Sequence, residues 1–140
     1  MITKLLIAWC LVALCVTIHA IGLMGAFRWV SRSPALADSR FWPPTWLLIR
    51  IAGWLIATHL AEIAIWAVFY WGQKCFTDAE SAFYFAGVTY TTVGYGDLVL
   101  PKDWRLLGPI EGLTGILMCG LSTGFFFAVV SKMYASRAKA

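Results

Sequence analysis

Thr91-Thr92-Val93-Gly94-Tyr95-Gly96-Asp97 is the segment of this chain whose residue types and spacing could do chemistry. A cation stripped of water needs a cage of oxygens to replace its hydration shell, and main-chain carbonyls can supply it. They do so only where successive carbonyls point the same way, and in an ordinary strand they alternate. Gly94 and Gly96 relieve that constraint, because glycine enters left-handed backbone regions at little steric cost. A second group is dispersed: His19, His59, Glu62 and Glu111 each lie inside an apolar stretch. Ionisable groups in such surroundings are costly and stand as functional candidates. His59 and Glu62 are three positions apart and so share a helix face.

The elements that must position these residues follow from composition. Of 140 residues 61% are hydrophobic and 13% charged, which is too little charge for a soluble domain of this size. The apolar residues fall in long runs, about Leu5 to Phe27, Trp46 to Trp71 and Trp104 to Tyr134. Each exceeds the ~20 residues of a spanning helix. Tryptophans at the ends of the second suit a membrane interface. The stretch Ala79 to Tyr90 is too short to cross, and Thr77-Asp78-Ala79-Glu80 before it reads as a capping box, with Thr77 as N-cap and Glu80 at the third helical position. A short helix therefore enters from one side and ends at Thr91, and the glycine-containing segment returns as a re-entrant loop. Irregular backbone at membrane depth is tolerated only under a cover of protein or water, which implies an oligomer around a pore.

The expected fold is an all-α membrane protein with three transmembrane helices plus a re-entrant helix and loop. Its divisions are an N-terminal spanning helix (1–30), a linker (31–45), a pore unit (46–134) and a basic tail (135–140). Within the pore unit we expect an outer helix at 46–72, a short helix at 78–90, the loop at 91–97 and an inner helix at 104–134. Pro34, Pro43 and Pro44 prevent a continuous helix through the linker. Cys10, Cys15, Cys75 and Cys119 show no metal or redox spacing; the first, second and fourth read as packing residues and Cys75 as a free thiol in the outer segment.

Charge sets an orientation. Arg28, Arg32, Arg40 and Arg50 flank the linker and Lys132, Arg137 and Lys139 follow the last run, so these sides should be cytoplasmic. Lys74 and Lys102 stand against Asp78, Glu80, Asp97 and Asp103 around the loop, which should face outward with the N-terminus. A cleaved signal peptide is the rival reading of the first run, but Val16-Thr17-Ile18-His19-Ala20 is a poor cleavage site and cleavage would leave the arginine-rich linker outside. The net charge of +4 does not suggest nucleic acid, since no separate basic domain forms.

With these residues in view, the seven-residue segment and its flanks from about Trp46 to Tyr134 resemble the two-helix pore domain of small prokaryotic potassium channels, with one added N-terminal helix. The resemblance implies a K⁺-selective filter in a homotetramer, because a single loop per chain requires four chains. It implies coordination of K⁺ by the carbonyls of Thr92, Val93, Gly94 and Tyr95, with the Thr92 hydroxyl at the inner end. Thr91, Gly96 and Asp97 would support the filter, and the Tyr95 ring would point away from the ions and brace it. The chain departs from the family in several ways. Some members carry a glutamate where this chain has Val88, so Asp97 needs another partner, for which Tyr84 is the candidate. Some carry an aromatic ring where this chain has Val99. No helix has the regular arginine or lysine spacing of a voltage sensor, and the few residues after Tyr134 leave no room for a ligand-sensing domain.

Glu62 and Glu111 fall at similar depths, ~10–14 Å from the outer surface, behind the filter. With His59 they either sense pH or clamp helices statically. Gly115 or Gly120 would be a gating hinge or a small-residue packing position. The expected function is passive K⁺ conduction in a cell membrane, with no enzyme chemistry and no organic cofactor. The alternatives are a weakly selective cation pore and a non-conducting subunit whose first helix binds another membrane protein.

Overall fold

A computed structural model describes residues 2–33 and 42–137, excluding the side chains of residues 136 and 137. Four helices account for most of it: α1 (Ile2–Ser31), α2 (Trp42–Gly72), α3 (Ala79–Tyr90) and α4 (Leu107–Arg137). α1, α2 and α4 are long and apolar enough to cross a membrane. At ~1.5 Å per residue they exceed the ~30 Å hydrocarbon thickness, so they tilt or project beyond it. No strand occurs among the described residues.

Several boundaries differ from expectation. α2 begins at Trp42 rather than Trp46, with Pro43 and Pro44 inside its first turn. Proline has no N–H to lose there, so it starts this helix instead of interrupting it. The rest of the expected linker, 34–41, lies outside the described residues. α4 starts at Leu107, after a turn in which Trp104 N donates to Pro101 O, and it continues to Arg137 into the expected tail. The N-cap of α3 is Asp78, not Thr77. Its backbone is extended (φ −136°, ψ 161°), and its carboxylate accepts from Ser81 N at 2.7 Å and Ser81 Oγ at 2.9 Å. Thr77 Oγ1 donates to the same carboxylate at 3.0 Å. These bonds, led by the Ser81 backbone N–H, hold the Asp78 carboxyl below its usual range.

α1 packs on α2 and α4 through a stripe of its own: Ala8, Cys15, His19, Gly22, Ala26 and Val30 are buried, while Trp9, Ile21 and Phe27 face outward. A Cβ on Gly22 would lie 2.7 Å from Thr58 Oγ1, so the two helices approach more closely than alanine allows. Trp54 Nε1 locks the same crossing by donating to Gly22 O at 2.8 Å. Lys4 at the start of α1 pairs with Asp103 at 3.0 Å, which puts the N-terminal end of α1 on the same side as the loop before α4. At the other end the Arg50 guanidinium lies 4.1 Å over the Trp29 ring.

Two apolar clusters divide the bundle. One surrounds α3 and contains Trp66, Tyr70, Phe85, Tyr90, Leu107 and Met118. The other, at the opposite end, contains Val30, Leu47, Ile51, Leu55, Val129 and Met133. Between them along the helices lie His19, His59, Glu62 and Ser122.

Candidate functional site: the pore loop and the polar ring behind it

The chain leaves α3 at Thr91, where Thr91 N and Oγ1 both bond Gly87 O. Thr92 N donates to Thr89 O and Gly94 N to Val88 O, each at 3.0 Å, so the loop begins by folding back on its own helix. Thr92, Gly94 and Gly96 then take positive φ, 62°, 53° and 79°, while Val93 and Tyr95 between them do not. Reversing hand at alternate residues is what turns successive carbonyls toward one side, the arrangement a cation cage requires. The sequence indicated the glycines but not Thr92. A β-branched residue at positive φ is uncommon and strained, and no local signal distinguishes it.

The outer end is tied by Tyr84, whose hydroxyl donates to Asp97 Oδ2 at 2.8 Å, the pairing suggested by the absence of a glutamate at Val88. That bond to the carboxylate pushes the phenol pKa up and keeps Tyr84 a donor. Val93 and Tyr95 are 51% and 71% exposed in the single chain.

α4 supports the loop from behind. Gly112 sits against Thr89 O, and Gly115 sits so close to α3 that a Cβ there would fall 1.9 Å from Tyr90 O. Gly115 is therefore a packing position. Among the described residues nothing lies within 4 Å of a Cβ at Gly120.

The ionisable residues separate into two groups. Glu111 does not join Glu62; it is fully buried and accepts from the Tyr70 hydroxyl at 2.8 Å. Glu62, also fully buried, bonds His19 Nδ1 through Oε1 at 2.8 Å and the Tyr90 hydroxyl through Oε2. His59 Nδ1 meets the same Tyr90 hydroxyl at 3.0 Å, and its Nε2 meets Ser122 Oγ at 3.0 Å. Ser122 Oγ reaches His19 Nε2 at 3.3 Å. One residue or more from each of the four helices closes this ring, and Tyr90 attaches it to the end of α3, next to the loop. Sequence reasoning found His19, His59 and Glu62 but missed Tyr90, Ser122 and Tyr70. The available signal was that a charged residue inside a span must find polar partners.

Residues 46–132 match a family described as an ion channel. That match covers well over half of the chain and nearly all of the α2–α3–loop–α4 unit, so the chain belongs to this ion-channel family. It is a multi-pass membrane protein whose class conducts ions passively, a transporter rather than an enzyme. No solved structure matches the chain.

Proposed function

We propose that this chain assembles as a homotetramer whose four loops form a K⁺-selective filter. The carbonyls of Thr92, Val93, Gly94 and Tyr95 and the Thr92 hydroxyl coordinate the permeant ion, while Thr91, Gly96, Asp97 and Tyr84 hold the loop. The observation that carries this reading is the alternation of positive φ at Thr92, Gly94 and Gly96 inside the Thr91–Asp97 motif. The exposed Val93 and Tyr95 support assembly, since such surface at membrane depth requires protein around it. The C-terminal end of α3 carries the negative pole of its dipole and favours a cation there. The basic residues beside α1, α2 and α4 argue for a cell membrane with the N-terminus outside and the C-terminus in the cytoplasm.

Purified protein in liposomes tests the proposal: K⁺ flux should far exceed Na⁺ flux. Equal fluxes, or a protein that remains monomeric, would overturn it.

Two predictions arise here. Tyr84→Phe removes the donor to Asp97 and should speed the decay of current during sustained opening, because one end of the loop loses its tie. Unchanged decay rules out a holding role for that bond. Val99, 63% exposed beyond the loop, offers no ring to a quaternary ammonium ion. External tetraethylammonium should block weakly, and Val99→Tyr should strengthen block about fivefold or more, the size of a cation–π contact of ~1 kcal/mol. Strong block of the unmodified channel would count against this placement.

A further inference from the structure

The ring behind the loop has five members, His19, Glu62, Tyr90, His59 and Ser122, and five links. Each link needs one hydrogen between its two heavy atoms. Tyrosine and serine bring one each, a neutral histidine brings one, and a carboxylate brings none. The ionised carboxylate with two neutral histidines therefore supplies four hydrogens for five links. One link is then lone pair against lone pair, in a site where His19 and Glu62 are 1% and 0% exposed and His59 is 17% exposed.

A fifth proton completes the ring. With it on Glu62, the carboxyl donates to Tyr90, Tyr90 to His59 Nδ1, His59 Nε2 to Ser122, Ser122 to His19 Nε2, and His19 Nδ1 back to the other carboxylate oxygen. With it on His59 instead, His59 donates to both Tyr90 and Ser122, and Tyr90 donates to the carboxylate. The count is the same in both forms, so the proton belongs to the ring and not to one residue.

We infer that this ring is a binding site for one proton per chain, and that its occupancy sets how firmly Tyr90, and through it the inner end of the pore loop, is held. Loss of the proton unmakes one link and loosens the connection between α1, α2, α4 and the C-terminus of α3. The other titratable groups facing the ring are few among the described residues. They are the thiols of Cys15 on α1 and Cys119 on α4, while Glu111 of α4 is bonded to the Tyr70 hydroxyl of α2. His19, His59 and Glu62 also bring nitrogen and oxygen atoms within 4.8 Å of one another, a spacing that suits a metal. Here those atoms already pair at hydrogen-bond distances, and the proton count accounts for their arrangement.

The linkage sign is fixed by the same count. Above the ordinary histidine pKa of about 6.5 the folded ring holds a proton that the separated side chains give up, so its stabilisation is present there and is lost as pH rises through the ring's own titration; below that pKa the two separated histidines bind two protons against the ring's one, and stability falls again. The inference depends on the channel reading for its flux measurement alone. Flux in liposomes at symmetric pH should be about tenfold higher at about pH 5.5 than at about pH 8.5, on either side of the ordinary histidine pKa, a factor that one unmade buried hydrogen bond commands. Melting temperature should fall over the upper part of that interval, from about pH 6.5 to about pH 8.5.

Glu62→Gln supplies the missing hydrogen permanently through its amide N–H. Ser122→Ala removes two links and one hydrogen, leaving three links for three hydrogens. Either variant should bring the flux ratio to about one and flatten the melting profile above about pH 6.5. A flat wild-type profile, or the full wild-type pH dependence of melting temperature in both variants, overturns the proton site. If flux is absent at every pH while melting temperature follows the expected pattern, the channel reading fails and the proton site stands.

Discussion

Gly115→Ala is expected to abolish conduction. The added methyl would lie 1.9 Å from the Tyr90 carbonyl oxygen and 2.8 Å from its carbon, and both are backbone atoms. A flexible side chain could swing away from such an overlap, but here α3 or α4 must shift as a body, by about 1 Å or more to reach ordinary contact. Overpacking in a filled interior ordinarily costs about 1–3 kcal/mol. At this position the displacement falls on Tyr90, which precedes the loop by one residue and carries the polar ring on its side chain. We expect flux to fall more than about tenfold, the equivalent of ~1.4 kcal/mol. Gly120→Ala on the same helix is the control. Among the described residues nothing lies near its Cβ, and alanine favours the helix by roughly 0.5–1 kcal/mol, so the protein should be no less stable. Wild-type flux in Gly115→Ala would show that the approach of α4 to α3 is not needed.

Gly94→Ala should destroy ion selectivity by a different route. Its φ of 53° lies in the left-handed region, yet no atom of the described residues lies within 4 Å of the position of a Cβ. The cost is therefore one of backbone conformation, ~1–2 kcal/mol for an L-residue. In the proposed tetramer it would be paid by four loops around one pore. A loop that relaxes to negative φ turns a carbonyl out of the ring of oxygens, so K⁺ flux should drop and its advantage over Na⁺ should shrink toward parity. Reversal potentials in mixed K⁺ and Na⁺ measure this directly. A variant that conducts K⁺ with unchanged preference would mean that the hand of residue 94 does not set the cage.

The two glycines act for unlike reasons, and only one was legible in the sequence. Gly94 sits in a contiguous motif where residue type alone signals special backbone. Gly115 is one of several glycines in α4, and its sequence neighbourhood does not distinguish it from Gly120. What separates them is which face of α4 meets the carbonyl end of α3, a contact between residues 25 positions apart. The cap of α3 shows the same limit at short range. Thr77 and Asp78 are both good N-cap residues and adjacent, and the extended backbone at Asp78 decides between them. Pro43 and Pro44 argue against a continuous helix through the linker, although proline suits a first helical turn equally well, and that is where they lie.

The long apolar runs, the short helix between them and the seven-residue loop motif were determined by the sequence itself. Helix length against bilayer thickness and the left-handed tolerance of glycine act within a few residues of each other, so order along the chain suffices to reveal them. The partnership of His19 with Glu62 and Ser122, the attachment of Tyr90 to Glu62 and His59 of α2, and the separation of Glu111 from that ring were decided only by tertiary structure. A buried polar group must be bonded, but the chain order does not say by what. That choice depends on how four helices rotate about their axes when they pack, and the rotation is set by all of their contacts at once.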